Sequence, residues 1–119
     1  MNRGEVWWAE DPETGRRPYL ILTRSAALPV LHKVAAVPAT RRIRSIPSEL
    51  RLDEDDGMPG PCALNFDNLV VLRKSWFVEP ICQLSPVRMV QACRALRWPW
   101  AADGRDLTPS RPPAGTAVS

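Results

Sequence analysis

Turn-forming residues divide most of the chain into short segments with the composition of β-strands. Residues 11–15 and 56–61 are rich in Asp, Gly and Pro, which favour tight turns. Between the turns, apolar residues alternate with polar ones or form short runs, as in half-buried and buried strands. The predicted strands are residues 5–9, 19–23, 33–37, 49–52, 63–66, 69–72 and 77–83. The last of these contains Pro80, which predicts an edge strand or a β-bulge.

The spacing of apolar residues becomes helical after residue 84. Ser85 followed by Pro86 is typical of a helix N-cap and first turn, and Pro99 is expected to end the helix. The residues predicted to face the core from this helix are Met89, Ala92, Cys93 and Leu96. Short strands closed by one helix predict a mainly β, α+β fold: a small, strongly curved antiparallel sheet or partial barrel with a C-terminal helix. Residues 101–119 are polar and lack periodicity, which predicts a disordered tail after one domain of residues 1–100.

The size and composition of the chain limit the class of protein. A chain of 119 residues has room for one hydrophobic core, and 45% hydrophobic with 24% charged residues is typical of a soluble globular domain. No apolar run approaches the roughly 20 residues that span a bilayer, and the N-terminus lacks the apolar segment of a signal peptide. The expected location is therefore the cytoplasm, without a membrane partner.

Cysteine and histidine are too few for several common kinds of site. Cys62, Cys82 and Cys93 cannot all pair within one chain, and none has Cys-x-x-Cys spacing. A single histidine, His32, does not provide a His-rich metal centre or a histidine acid/base pair. The sequence also lacks the Gly-rich motifs that hold nucleotide phosphates. We therefore expect no disulfide framework, no metal ion and no cofactor.

Basic residues are concentrated between residues 16 and 51, just before an acidic run at 53–56. The net charge of the chain is only +3, but the clustering of its basic residues is compatible with a face that binds a polyanion. Pro18 favours an extended conformation at Arg17, which is predicted to leave a loop and enter a strand in a defined direction. An arginine directed in this way suits a phosphate. The alternative left open by residue type alone is that Arg16 and Arg17 are merely solvated.

Five short motifs occur in the order and spacing of a known protein family. They are Arg3-Gly4-Glu5-Val6-Trp7, Arg17-Pro18 before an apolar strand, a strand ending at Thr40, Asn65-Phe66-Asp67-Asn68, and Leu84-Ser85-Pro86 at the start of a helix. Together they resemble the MazF/PemK family of toxin endoribonucleases from type II toxin–antitoxin systems. The resemblance covers about residues 3–98. None of the motifs is specific alone, so the resemblance depends on their order.

The resemblance implies an SH3-like or CcdB/MazF-type barrel that works as a homodimer and is neutralised by a cognate, MazE-like antitoxin. It implies a metal-independent endoribonuclease that cleaves single-stranded RNA. In this family the RNA 2′-hydroxyl is the nucleophile, and the products carry a 2′,3′-cyclic phosphate and a 5′-hydroxyl. The alternatives are a CcdB-like toxin that binds gyrase and a non-catalytic SH3-like binding module.

The resemblance places the catalytic residues of the family on Arg17 and Thr40. A fixed guanidinium stabilises the charge that develops on the phosphate oxygens, and a threonine hydroxyl can donate to one of them. A threonine at a strand end that satisfies a local backbone group is the alternative for Thr40. Some family members carry a glutamate in the loop between the first two strands. Here that loop is short, and Glu13 is the nearest substitute for the general base, with a solvated turn glutamate as the alternative.

Further residues are predicted to bind RNA. They are Arg16, as a flanking charge, Arg41, Arg42 and Arg44, directly after the strand that ends at Thr40, and Asp67 and Asn68. A solvated basic loop is the alternative for the three later arginines, and dimer contacts are the alternative for Asp67 and Asn68. Trp8, or Trp7 if the strand register is reversed, is a candidate for contact with RNA or antitoxin.

Overall fold

A computed structural model describes residues 1–97. The strands are β1 (Glu5–Asp11), β2 (Gly15–Ile21), β3 (Lys33–Thr40), β4 (Glu49–Leu52), β5 (Cys62–Asn65), β6 (Val70–Arg73) and β7 (Phe77–Gln83), and the helix α1 is Pro86–Arg97. All strand pairs are antiparallel. The predicted mainly β, α+β fold is therefore confirmed. The predicted tail 101–119, the domain boundary at 100 and Pro99 lie outside the described residues.

Strand β3 is the strand on which the sheet is organised. The order along the sheet is β4-β5-β3-β2-β1-β7, and β6 pairs with the first half of β3. Both faces of β3 are covered, because Val34, Ala36, Val37 and Ala39 are all buried. The strand ends at Thr40, as expected, with β5 beside its last two residues. The end of this strand, buried on both faces, therefore fixes the position of Thr40.

Alternate side chains of β2 pack into two separate clusters. Leu20 lies in a cluster with Ala92 and Ala95 of the helix, whereas Tyr19 and Ile21 lie in a second cluster on the other face. In the second cluster the ring of Tyr19 packs edge-on against Phe77, with centroids 6.3 Å apart. A slip of one residue would exchange the two faces, so burial on both sides fixes the register of β2.

Strand β2 begins earlier than its apolar residues suggest. The predicted start at Tyr19 is wrong, because the ladder with β1 continues to the pair Asp11–Gly15. Pro18 is tolerated inside the strand because pairing with β3 begins only at Tyr19, which leaves the β3 side of Pro18 unpaired. Arg16 and Arg17 thus belong to a strand rather than to a loop before it.

The helix and the last strand largely agree with their predicted features. Ser85 Oγ accepts a hydrogen bond from the Arg88 backbone N–H at 3.2 Å, as expected of an N-cap. The predicted core face is partly wrong, because Ala95 is buried while Leu96 is 36% exposed. Pro80 lies on the terminal strand β7, beside a register shift in its pairing with β1, which confirms the predicted edge or bulge. Within residues 1–97, no helix is long and apolar enough to cross a membrane.

Candidate active site

Arg17 and Thr40 are brought together by the register of two strands. The pairs between β2 and β3 are Tyr19–Pro38, Leu20–Val37 and Ile21–Ala36. Continuing this register by two residues places Arg17 opposite Thr40. The two strands are no longer paired at this point, since the last pair between β2 and β3 is Tyr19–Pro38. Arg17, which is exposed, and Thr40, which is half-buried, therefore lie on opposite strands at the open end of the strand pair.

The hydroxyl oxygen of Thr40 accepts one local hydrogen bond, while its O–H is free to donate another. Thr40 Oγ1 accepts a hydrogen bond from the Arg42 backbone N–H at 3.1 Å. This is the local backbone contact that the sequence offered as the alternative for Thr40. The contact uses an oxygen lone pair and leaves the O–H proton available for another acceptor. The local hydrogen bond orients the hydroxyl and is compatible with donation to a phosphate.

Two cavities meet at Arg17 and Thr40, and both side chains line both of them. The larger cavity, of about 500 Å³, is also lined by Trp8, Arg16, Pro18, Ala39, Arg41 and residues 58–62. The smaller cavity, of about 190 Å³, is also lined by Pro38, Arg42, Arg44, Asn65 and Asn68. Ala39 and Pro38 point to opposite faces of β3, so the cavities lie on the two faces of the sheet. Arg17 and Thr40 stand on the edge between them.

The sequence and fold have counterparts among known proteins. Residues 2–98 match the family described as the PemK-like, MazF-like toxin of type II toxin–antitoxin systems. The chain belongs to this family. It is 41% identical over 98 residues to the probable endoribonuclease MazF2 of Mycobacterium tuberculosis strain H37Rv, covering 82% of this chain and 95% of that protein. It is 39% identical over 95 residues to the probable endoribonuclease MazF5 of that strain, covering 79% and 87%.

The fold of this MazF-family toxin is that of solved relatives. A mycobacterial endoribonuclease determined in complex with its cognate antitoxin is 27% identical, with a TM-score of 0.75. The superposition covers 91% of this chain and 99% of that chain. The family resemblance expected from the five sequence motifs is therefore confirmed over nearly the same residues.

Arg16 and Arg17 have different surroundings in this MazF-family chain. The Arg16 guanidinium donates to Glu10 at 3.0 Å and to Glu79 at 2.9 Å, and it lies 4.9 Å from the centroid of the Trp8 ring. Arg17 is exposed and forms no hydrogen bond or ion pair through its side chain within residues 1–97. Arg17 is thus the member of the pair whose charge is available to a ligand.

The three arginines after Thr40 also differ. Arg41 lines the larger cavity, while Arg42 and Arg44 line the smaller one. Arg44 is held by Glu49, which accepts from its Nε at 2.9 Å and from its backbone N–H at 2.9 Å. Within residues 1–97, Arg41 and Arg42 form no ion pair. The structure therefore leaves two of the three charges beside the site unneutralised.

Two of the predicted residues lie outside both cavities. The Asp67 carboxylate accepts a hydrogen bond from Ser48 Oγ at 2.7 Å, while its neighbour Asn68 lines the smaller cavity. Glu13 is exposed in the turn between β1 and β2, where its backbone N–H donates to Asp11 Oδ1 at 2.7 Å. Neither cavity is lined by a carboxylate or a histidine among residues 1–97.

Two further residues of the site were not predicted from the sequence. Asn65 belonged to a recognised motif but not to the predicted site, and the structure places it in the wall of the smaller cavity, 6% exposed. Cys62 lines the larger cavity, where burial and then the neighbouring Cys82 raise the pKa of its thiol to about 11. Cys62 is therefore a neutral thiol near pH 7 and not a nucleophile or a base.

A third concavity lies away from Arg17 and Thr40. It has a volume of about 560 Å³ and lies between β4 and the helix, with both acidic and basic side chains in its lining. It contains neither member of the Arg17–Thr40 pair. Within residues 1–97, no group of three His, Cys, Asp or Glu side chains is arranged to hold a metal ion.

Proposed function

We propose that this chain is the toxin of a type II toxin–antitoxin system, an endoribonuclease that cleaves single-stranded RNA through Arg17 and Thr40 without a metal ion. The observation that carries the proposal is the position of these two side chains. Both line the two cavities at the open end of β2 and β3, one with an unpaired guanidinium and the other with an oriented hydroxyl. Membership of the MazF-like toxin family supports the same activity.

The reaction is the transfer of a phosphate from the 5′-oxygen of one nucleotide to the 2′-oxygen of its neighbour. The 2′-oxygen attacks phosphorus, the bond to the 5′-oxygen breaks, and a 2′,3′-cyclic phosphate and a 5′-hydroxyl result. The 2′-hydroxyl loses a proton and the departing 5′-oxygen gains one. Negative charge develops on the phosphate oxygens in the transition state. Groups that bind those oxygens more strongly at that stage accelerate the step.

Arg17 is the group that meets this charge. A guanidinium keeps its proton at any physiological pH and presents several N–H donors in one plane, which suits two phosphate oxygens. The strand holds Arg17 at the open end of β2, and no protein carboxylate competes for it among residues 1–97. Thr40 donates its O–H to another phosphate oxygen from the opposite strand. Both residues stabilise charge, and neither attacks the phosphate.

The two cavities supply a path for the RNA on either side of the scissile phosphate. Arg41 lies along one cavity and Arg42 along the other, where each neutralises a neighbouring phosphate. Arg16 is held by Glu10 and Glu79, so it contributes as a flanking charge beside Trp8. Asn68 contacts the RNA from the smaller cavity, and Asp67 contributes through the turn that carries Asn68. Bases turned away from this path are accessible for stacking and hydrogen bonding.

Glu13 is the proposed acceptor of the 2′-hydroxyl proton. It lies on the hairpin turn that precedes β2, in the same hairpin as Arg17. It does not line either cavity, so the assignment requires this turn to close over bound RNA. In many enzymes a loop closes when substrate binds, and the catalytic site is complete only in that closed state.

The partners follow from the same assignment. A MazE-like antitoxin with an acidic, partly disordered segment fits the uncompensated charge of Arg17, Arg41 and Arg42, and its segment would order on binding. A homodimer extends the RNA path with a second copy of the site. A cytoplasmic location is part of the same proposal, because it gives the toxin access to RNA. A gyrase-binding or purely non-catalytic role is not favoured, because the curated relatives MazF2 and MazF5 are named as probable endoribonucleases.

The test measures cleavage of a mixed-sequence single-stranded RNA by the purified protein in EDTA. We expect cleavage in EDTA, with cyclic phosphate ends, and a loss of about 100-fold or more for Arg17→Ala, because one preorganised donor contributes about that factor. Thr40→Val keeps the shape of the side chain and removes the donor, so it should lower the rate as well. Arg51→Ala is the matched control, since Arg51 is exposed on β4 and lines neither cavity.

The possible results separate clearly. Absence of cleavage by the wild-type protein, or its loss on chelation, contradicts a metal-independent nuclease. If Arg17→Ala and Thr40→Val cleave RNA as fast as the Arg51→Ala control, the assignment of the site is wrong, although the endoribonuclease activity stands. Circular dichroism of each variant shows whether a lost rate reflects a lost fold.

A further inference from the structure

The smaller cavity contains a buried amide with one unused side. Asn65 is 6% exposed, and its Oδ1 accepts a hydrogen bond from the Asp67 backbone N–H at 3.0 Å. This contact caps the 3₁₀-helix Phe66–Asn68 and fixes which end of the amide is the oxygen. The other end, Nδ2, has no acceptor within residues 1–97. Asn65 therefore lines the cavity with an unused donor, while its oxygen is engaged by the turn.

An unused donor in this position requires an explanation. Leaving a buried N–H group without a partner costs about 1–3 kcal/mol, so most such groups in proteins are paired. The cap alone does not need an amide, because serine, threonine or aspartate also caps the start of a helix. The amide nitrogen is thus an extra group that the turn itself does not use.

The strand register places this donor on the same face of the sheet as the reaction site. The pairs between β3 and β5 are Ala39–Leu64 and Thr40–Ala63. One further step puts Asn65 opposite Pro38, and alternation along β3 gives Pro38 and Thr40 the same face. Asn65 and Arg17 therefore flank β3 on one face, with Asn65 buried and Arg17 exposed.

We propose that the smaller cavity binds the base next to the scissile phosphate, and that Asn65 Nδ2 selects a base with a carbonyl at C4 of a pyrimidine or C6 of a purine, which is uracil or guanine. This inference rests on the proposed endoribonuclease function. At those positions adenine and cytosine carry an amine, which would point a donor at the Asn65 donor. Asn68 lines the same cavity with a second amide that can contact the same base edge.

Depth and charge favour a base rather than a phosphate at Asn65. A phosphate carries its charge near water, where the exposed Arg17 guanidinium meets it. Arg42 of the same cavity is also exposed and can meet a phosphate near water, whereas a phosphate placed on the Asn65 amide, which is neutral and 6% exposed, would lose hydration for a neutral donor. A neutral carbonyl can be buried against this donor without that desolvation cost. In single-stranded RNA, unstacked bases are available for hydrogen bonds at their edges.

The experiment compares cleavage patterns on a randomised single-stranded RNA, with the 5′ ends of the fragments sequenced. Asn65→Asp keeps an oxygen to cap the turn and replaces the donor by an acceptor. Asn65→Ser also keeps the cap but removes the amide. Ser48→Ala is the control, because it removes the hydrogen bond from Ser48 to Asp67 in the same turn and leaves the Asn65 amide in place.

We expect the wild-type protein and Ser48→Ala to require uracil or guanine at one position beside the cut. Asn65→Asp should shift that position toward adenine or cytosine by roughly tenfold or more in relative rate, the size of one good base contact. Asn65→Ser should lose the preference without reversing it.

Three results would overturn the inference. The first is a pattern that does not change in either Asn65 variant. The second is an equal slowing at all sequences, which would mean a contact to phosphate. The third is a wild-type pattern that accepts all four bases at the positions beside the cut. A wild-type protein that cleaves no RNA contradicts the proposed function itself, which is a separate outcome.

Discussion

Two adjacent arginines on one strand have opposite environments. Side chains alternate along β2, so Arg16 points to the face that carries Trp8, while Arg17 points to the face that carries Tyr19. The carboxylates that hold Arg16 come from two other strands, at Glu10 and Glu79. The sequence shows both arginines but not these partners, because Glu79 is 63 residues away along the chain. Only the folded chain therefore distinguishes the free guanidinium from the neutralised one.

A prediction at this scale concerns the proton acceptor. Glu13→Gln removes the proposed base but leaves the length of the turn unchanged. We expect the cleavage rate at neutral pH to fall by about 100-fold or more, the lower end of what a general base contributes. The fall in rate that a carboxylate base causes at acid pH should disappear as well. Rates are measured between pH 4 and 8.

Glu54→Gln is the control for Glu13→Gln, because Glu54 is an exposed carboxylate that lines neither cavity. A rate for Glu13→Gln within a few-fold of this control would show that Glu13 is a solvated turn residue. The assignment of Arg17 and Thr40 would be unaffected by that result.

At the scale of single elements, local patterns predicted the existence of each strand better than its ends. Strand β4 was predicted with its observed bounds from alternation alone. The start of β2 was placed too late, because Arg16, Arg17 and Pro18 have low intrinsic strand preference and pairing with β1 overrides it. The helix face was misjudged because alanine gives a weak hydrophobic signal, although its small size lets the helix approach the sheet at Ala92 and Ala95.

A second prediction concerns the turn after β4. Gly57 ends the 3₁₀-helix Glu54–Asp56 with φ of +96°, and an added Cβ would lie 2.7 Å from Cys82 Cβ. Gly57→Ala therefore adds a clash to the cost of a left-handed backbone, which alone is about 1–2 kcal/mol. We expect Gly57→Ala to destabilise the protein by about 3 kcal/mol or more, as measured by urea denaturation.

The matched control for Gly57→Ala is Gly15→Ala. Gly15 has φ of +84°, and nothing lies within 4 Å of an added Cβ. Gly15→Ala should therefore lower the free energy of unfolding only by the cost of the left-handed backbone, without a clash. Equal losses of stability in the two variants would mean that Cys82 moves aside at little cost.

At the scale of the whole molecule, an ion pair ties the helix α1 to the turn between β4 and β5. Arg88 Nε donates to Asp56 Oδ1 at 2.8 Å, and the Asp56 side chain is 10% exposed. The hydrogen bonds from Arg88 hold the pKa of Asp56 below its usual value. A carboxyl with a lowered native pKa stabilises the fold above its unfolded pKa, and the contribution is lost as pH falls through the native value.

We therefore expect Asp56→Asn to lower the free energy of unfolding by about 1–3 kcal/mol at pH 7, the range for a hydrogen bond to a charged group. The difference from the wild-type protein should begin to shrink below about pH 4, the ordinary pKa of an aspartate in the unfolded chain, and should be lost as pH falls through the lower native pKa of Asp56. Urea denaturation at pH 7 and pH 3 measures both values. Asp55→Asn is the control, since Asp55 is an exposed neighbour in the same turn. A pH-independent difference would contradict the assigned role of the pair.

The architecture and the family were predictable, because ordered motifs identified the family, and the proposed pair Arg17 and Thr40 meets through one strand register. The cavity that Asn65 lines could not be predicted from the sequence. Its burial depends on pairing between β4 and β5, and its free donor becomes visible only when the cap to Asp67 is known. Long-range pairing decides such features, and residue type carries little information about it.

The buried register of β2 and β3 also bears on how such toxins diverge. Tyr19, Leu20 and Ile21 fix the position of Arg17 from inside two packed clusters, while the segments 12–14 and 41–48 lie outside the strands. Loops of this kind tolerate exchange far better than the strands they join. Exchange of these segments would therefore change the charges beside the proposed site, while the relative position of Arg17 and Thr40 is kept with the core.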